Sequence, residues 1–158
     1  MKRLSYILVA VTAVVAMLIF GAKVSKSSGD ERVDFMPGSC PNTLNISQKG
    51  VFHVALAGPV SSTDLNTSTV RLNSIQVSPI SSSRLDQSRF YVSFPSNDCS
   101  TCNGGPDGTT DLILKFDTQT VVSALGLGSS TPDCIQICLE TNLGAGCDYV
   151  RILRNRKP

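Results

Sequence analysis

The sequence predicts an all-β fold: an antiparallel β-sandwich of about seven short strands with one short helix, placed behind an N-terminal apolar helix. Three observations carry this expectation. Short stretches of alternating apolar residues recur, each ended by Gly, Pro or a polar cluster. Ser, Thr, Asn and Gly are dense through the chain, while charged residues make up 16% and aromatics 6%, with no Trp. The one long uninterrupted apolar run is confined to the first 22 residues. A small open barrel is the alternative architecture. At 158 residues one domain is expected, long enough to bury a core.

Residues 1–22, MKRLSYILVAVTAVVAMLIFGA, begin with a basic pair and carry no charge from Leu4 to Ala22. As a helix, residues 4–22 would span roughly 28 Å at about 1.5 Å per residue, close to a bilayer core. A buried soluble helix would show a polar face, and this one does not. It reads as a signal peptide or as an uncleaved transmembrane signal anchor. Phe20 spoils the small-residue pattern that a cleavage site needs before Lys23, and Lys23 and Lys26 suit an anchor flank. Both readings place the rest of the chain outside the cytoplasm. If the segment is uncleaved, the membrane is a partner through residues 4–22.

Residues 23–37 are polar with little periodicity and read as a linker. The extracytoplasmic domain is expected over 38–154, followed by a basic tail at 155–158. Leu44 and Ile46 alternate in a first strand. Phe52, Val54 and Leu56 share one face of a strand over 51–57, with His53 on the outer face. Val70 and Leu72 resume alternation through Ile75 to Val77, before Pro79 and the serines at 81–83 break the chain. Phe90, Val92 and Phe94 align in a strand over 89–94, and Leu112, Leu114 and Phe116 in another. Asp117 and Thr118 can cap a brief helix that Gly126 ends. Ile135, Ile137 and Leu139 form the next strand, the Gly144-Ala145-Gly146 stretch a turn, and Tyr149–Leu153 the last strand.

All six cysteines follow the apolar segment: Cys40, Cys99, Cys102, Cys134, Cys138 and Cys147. An even number in an exported domain reads first as disulfides. The preferred pairs are Cys99 with Cys102 and Cys138 with Cys147, leaving Cys40 and Cys134 to pair or stay reduced. Two sharper readings compete. Cys99-Ser-Thr-Cys102 as a redox CxxC needs a helix N-terminus to depress a thiol pKa, and the following Asn-Gly-Gly-Pro cannot begin a long helix. Cys99, Cys102, Cys134 and Cys138 have the spacing of a tetrahedral zinc site, which export disfavours.

Catalytic constellations are sparse. His53 is the single histidine, too few for a two-histidine zinc motif. The chain has no nucleophile elbow, phosphate loop or dinucleotide fingerprint. The formal charge is +2, and Lys2 and Arg3 account for the excess, since the later 12 basic residues balance 12 acidic ones. No basic field exists to attract nucleic acid. Arg151, Arg154, Arg156 and Lys157 read as a solvated cluster. Asn45 and Asn66 stand in glycosylation sequons, which matter only in a host that uses them. The loop from Asn103 to Asp111 is the best remaining candidate. Asn103, Asp107 and Asp111 sit where a calcium loop places oxygen ligands, with Gly108 to turn the chain. Gly105 stands where a third side-chain oxygen belongs, so Ca2+ would be held weakly. No other cofactor is expected.

Several stretches taken together, CPNTLNISQKGVFHVALAG, STVRLNSIQVSP and CNGGPDGTTDLILKFDTQTVVSALG, resemble a family of exported bacterial β-rich domains of unknown function. The resemblance covers about residues 38–153. It implies a cell-surface or secreted module with no known catalytic residues, in which related loops carry more Asp than Asn103 and Gly105 allow here. The sequence therefore leads to a noncatalytic extracytoplasmic module of adhesion, scaffolding or binding, with an unknown protein or glycan ligand. A calcium-stabilised binding module and a small secreted CxxC thiol-disulfide enzyme are the alternatives.

Overall fold

The computed structural model describes residues 33–58, 60–86, 99–100, 106 and 108–154. The apolar segment 4–22, the expected strand over 89–94, Cys102, Asn103, Asp107 and the tail 155–158 lie outside the described residues. Among those described, the fold is mostly β, with two sheets and one α-helix. The first sheet contains β1 (Val33–Phe35), β3 (Val51–Leu56), β7 (Asp111–Asp117) and β6 (Ser81–Leu85), in the order β1-β3-β7-β6. The second contains β2 (Thr43–Asn45), β9 (Gly144–Leu153), β8 (Cys134–Thr141), β4 (Arg71–Leu72) and β5 (Ile75–Gln76), in that order.

Alternation explains the core. In β3 and β7, Phe52 pairs with Phe116, Val54 with Leu114 and Leu56 with Leu112, and all six side chains are buried. From the second sheet, Leu44, Leu72, Ile137, Leu139, Val150 and Ile152 join the same core cluster. The central strands β3, β7, β8 and β9 thus turn one face of alternating apolar residues into a shared core, the arrangement that period-2 patterning encodes. Phe35 stacks on Phe52 with ring centroids 5.6 Å apart. Helix α1 (Thr118–Ala124) follows β7 directly. Asp117 Oδ1 accepts the Thr120 N–H at 2.8 Å as its N-cap, and Gly126 ends it in the left-handed region at φ 63°.

Five expectations are corrected. Residues 33–35 are not linker: Val33, Asp34 and Phe35 are all buried as an edge strand antiparallel to β3. Two apolar residues flanking a single Asp give too short a pattern to register as periodicity. The sheets are not purely antiparallel, because β2 runs parallel to β9. Residues 70–77 are not one strand. Asn73 and Ser74 both take positive φ, 48° and 66°, and fold β4 back onto β5 in a two-residue hairpin. The serines at 81–83 do not break the chain but lie in β6, whose ladder with β7 runs from Ser81–Lys115 to Leu85–Asp111. Gly144 and Gly146 are strand residues of β9 rather than a turn, the chain reversing instead at Asn142 and Leu143.

Candidate functional site

The two cysteine pairs with described geometry are Cys99–Cys134, with Cα atoms 5.7 Å apart, and Cys138–Cys147, at 3.9 Å. Cys138 and Cys147 face each other on β8 and β9. The reason they can bond lies in Asn73. The Asn73 N–H donates to the Cys138 carbonyl at 2.9 Å, and Asn73 Oδ1 accepts the Cys138 N–H at 2.8 Å. Cys138 therefore spends its backbone groups away from β9. The 138/147 rung is a non-hydrogen-bonded one, where opposed side chains come closest.

Cys99 corrects the sequence reading. Its partner is Cys134 rather than Cys102, so the expected local staple is replaced by a bond between the β6–β7 connection and the start of the second sheet's β8. The redox CxxC reading loses its disulfide for the same reason. The zinc reading needs thiolates, and Cys99, Cys134 and Cys138 are all oxidised. The option of pairing Cys40 with Cys134 is also excluded. Cys40 is itself disulfide-bonded.

Of the calcium candidates, Asn103 and Asp107 lie outside the described residues. Asp111 is the first residue of β7 and is buried, and its Oδ1 accepts the Gly58 N–H at 3.4 Å. Among the described residues no group of three or more His, Cys, Asp or Glu side chains is placed to hold a metal ion. His53 is half-buried on the face of β3 opposite the core, and burial and then Lys115, its partner across the ladder, lower its pKa. Arg154 departs from the solvated reading: it pairs with Asp133 and donates to the Thr131 carbonyl. Among the described residues no helix is long and apolar enough to cross a membrane.

The site that sequence reasoning missed is a buried carboxylate pair. Asp34 on β1 and Asp148 on β9 are 4% and 7% exposed, and Asn42, just before β2, is 3% exposed between them. One amide nitrogen serves both acids: Asn42 Nδ2 donates to Asp148 Oδ2 at 2.7 Å and to Asp34 Oδ1 at 3.3 Å. Asn42 is held there because its carbonyl accepts the Arg151 N–H at 2.8 Å. Asp148 does more. The Met36 N–H donates to the His53 carbonyl, so the preceding Phe35 N–H points away from β3, toward the other edge of β1. Asp148 Oδ2 accepts that edge N–H at 3.0 Å, and its Oδ1 accepts the Tyr149 N–H at 2.7 Å.

The electrostatics follow from the donor distribution. Asp148 receives two backbone N–H groups and the closer amide bond, whereas Asp34 receives the longer bond from Asn42. A proton held by the pair therefore rests on Asp34. Burial, then the charges of Asp148 and more weakly Asp111, raise the Asp34 pKa to about 7 against the lowering effect of Asn42. Chemically the arrangement is a buried acid pair, bridged by one amide, that joins β1 to the second sheet. The signal in the sequence was Val33-Asp34-Phe35, a carboxylate between two core residues, which a linker has no reason to contain.

No family model, curated protein or solved structure matches the chain.

Proposed function

We propose that the chain is a noncatalytic extracytoplasmic β-sandwich module, anchored in the membrane through residues 4–22 or secreted, that contacts a protein or glycan ligand in adhesion or scaffolding. The observation that carries this reading is the pair of disulfides, Cys99–Cys134 and Cys138–Cys147. Such bonds persist in oxidising compartments and are reduced in the cytosol. The apolar, uncharged run from Leu4 to Ala22 supplies a route to that compartment. The resemblance to exported bacterial β-rich domains supports the same reading.

The test uses intact cells producing the full chain. A membrane-impermeant amine reagent is expected to label Lys49 and Lys115 without lysis, and alkylation before reduction to find Cys99, Cys134, Cys138 and Cys147 blocked. Labelling only after lysis, or free thiols at these four positions, would overturn the proposal. Sedimentation of the labelled chain with membranes separates the anchored form from the secreted one.

A further inference from the structure

The Asp34–Asn42–Asp148 cluster ties β1 and the start of β2 to β9, more than a hundred residues further along the chain, and it lies on the edge of β1 that has no strand beside it among the described residues. We propose that this cluster is a proton-dependent clasp: a proton held on Asp34 beside the Asp148 carboxylate seats strand β1 against β9, and loss of that proton weakens the seat and frees the edge of β3. The geometry gives the mechanism. With the proton present, one negative charge is matched by the Asn42 amide and by the Phe35 and Tyr149 N–H groups. Without it, two buried carboxylates face each other across a single neutral amide, and the pair repels. β1 is three residues long, so its ladder with β3 is short, and the buried Val33 and Phe35 side chains supply the rest of its hold. Freed, it would leave the backbone groups of β3 facing that side as an unpaired edge.

The charged groups around Asp34 reinforce this. Asp148 approaches from β9 and Asp111 from β7, and both oppose its ionisation. On β3 the residue opposite Asp34 is Ala55, which offers no charge. The described basic side chains on that face of the sheet are Lys115 and His53, opposite each other one rung further along, and Lys115 helps to keep His53 neutral. From the β2 side comes only the neutral Asn42.

The experiment is amide hydrogen exchange on the full chain in neutral detergent between pH 5 and pH 9, corrected for intrinsic exchange. In the folded chain the proton stays on Asp34 up to about pH 7. In the opened state it is lost near the ordinary carboxylate value of ~4. Protection of the Phe35 amide is therefore expected to fall about tenfold per pH unit up to roughly pH 7 and then level off. Amides of β7 are expected to stay protected throughout. Asp34→Asn removes the titration and keeps the shape, so its Phe35 protection should be flat with pH. His53→Gln should leave the wild-type profile unchanged. A flat wild-type profile, or an Asp34→Asn profile that still falls with pH, overturns the proposal. If Asp34→Asn fails to fold, carbon NMR of the wild-type carboxyl groups decides: an Asp titrating near 7 upholds the clasp, and all Asp titrating below 5 rejects it.

Discussion

Asp34 makes the stability of this protein depend on pH in an unusual direction. Its folded pKa lies near 7, above the ordinary value of 3.8. Below about pH 4 both the folded and unfolded chains carry the proton, and its contribution to stability is complete. Between there and about pH 7 only the folded chain holds it, so stability falls as the pH rises. Above about 7 the loss is full. Urea titrations from pH 5 to pH 8 are expected to show the midpoint falling, and Asp34→Asn to remove most of that slope. Phe52 gives a second expectation at this scale. It is buried and stacked on Phe35, and Phe52→Ala should cost about 3–5 kcal/mol in urea unfolding at any of these pH values. Asp34 and Phe52 thus separate a charge effect, which pH tunes, from a packing effect, which it does not.

At the scale of elements, local chemistry shows where the chain follows its sequence and where it does not. The helix start at Asp117 and its stop at Gly126 were legible because capping uses residues adjacent in sequence. The β4–β5 hairpin was not legible, because Asn73-Ser74 lacks the glycine that usually marks such a turn. Ser74 occupies φ 66°, a region that disfavours a side chain. Its hydroxyl bonds Glu140 at 3.2 Å on the surface. Ser74→Gly is expected to stabilise the fold by at most about 1 kcal/mol, read as a higher urea midpoint. A lower midpoint would mean that the Glu140 contact outweighs the backbone strain. Asn142 shows the other kind of element, a hub invisible locally. Its side chain accepts the Asn66 N–H at 2.8 Å and donates to the Asp64 carbonyl at 2.8 Å, which pins the two 3-10 turns to the β8–β9 reversal.

Across the whole molecule, the disulfides and the carboxylate clasp do related work: each joins parts of the chain that no ladder joins, or reinforces one that a ladder does. Cys99–Cys134 closes a longer loop than Cys138–Cys147, with separations of 35 and 9 residues. On chain-entropy grounds the two are worth about 4 and about 3 kcal/mol respectively at 25 °C. Replacing each pair by serine and measuring urea unfolding should reproduce that order. A non-reduced peptide map should return both links, and a map joining Cys99 to Cys102 would refute the observed connectivity. The 138–147 pair was foreseeable, since nine residues suit a hairpin. Cys134 as the partner of Cys99 was not, because the pairing crosses from the β6–β7 connection to the other sheet.

What the sequence determined by itself is the buried face of the strands whose alternation is clear. Alternation marked Phe52, Val54 and Leu56 in β3, Leu112, Leu114 and Phe116 in β7, and Ile137 and Leu139 in β8 as core residues, and all are buried. Period-2 patterning acts over neighbouring residues, so it can be read from them. Only the tertiary structure decided which strands are neighbours, that β2 lies parallel to β9, that Cys99 meets Cys134, and that Asp34 and Asp148 share Asn42. Those outcomes depend on contacts between residues far apart in the chain, such as the 113 positions separating Phe35 from Asp148. The Val33-Asp34-Phe35 pattern hints that the carboxylate sits in a buried strand, but not that a second carboxylate faces it. The tertiary structure settles that, and with it where the proton goes.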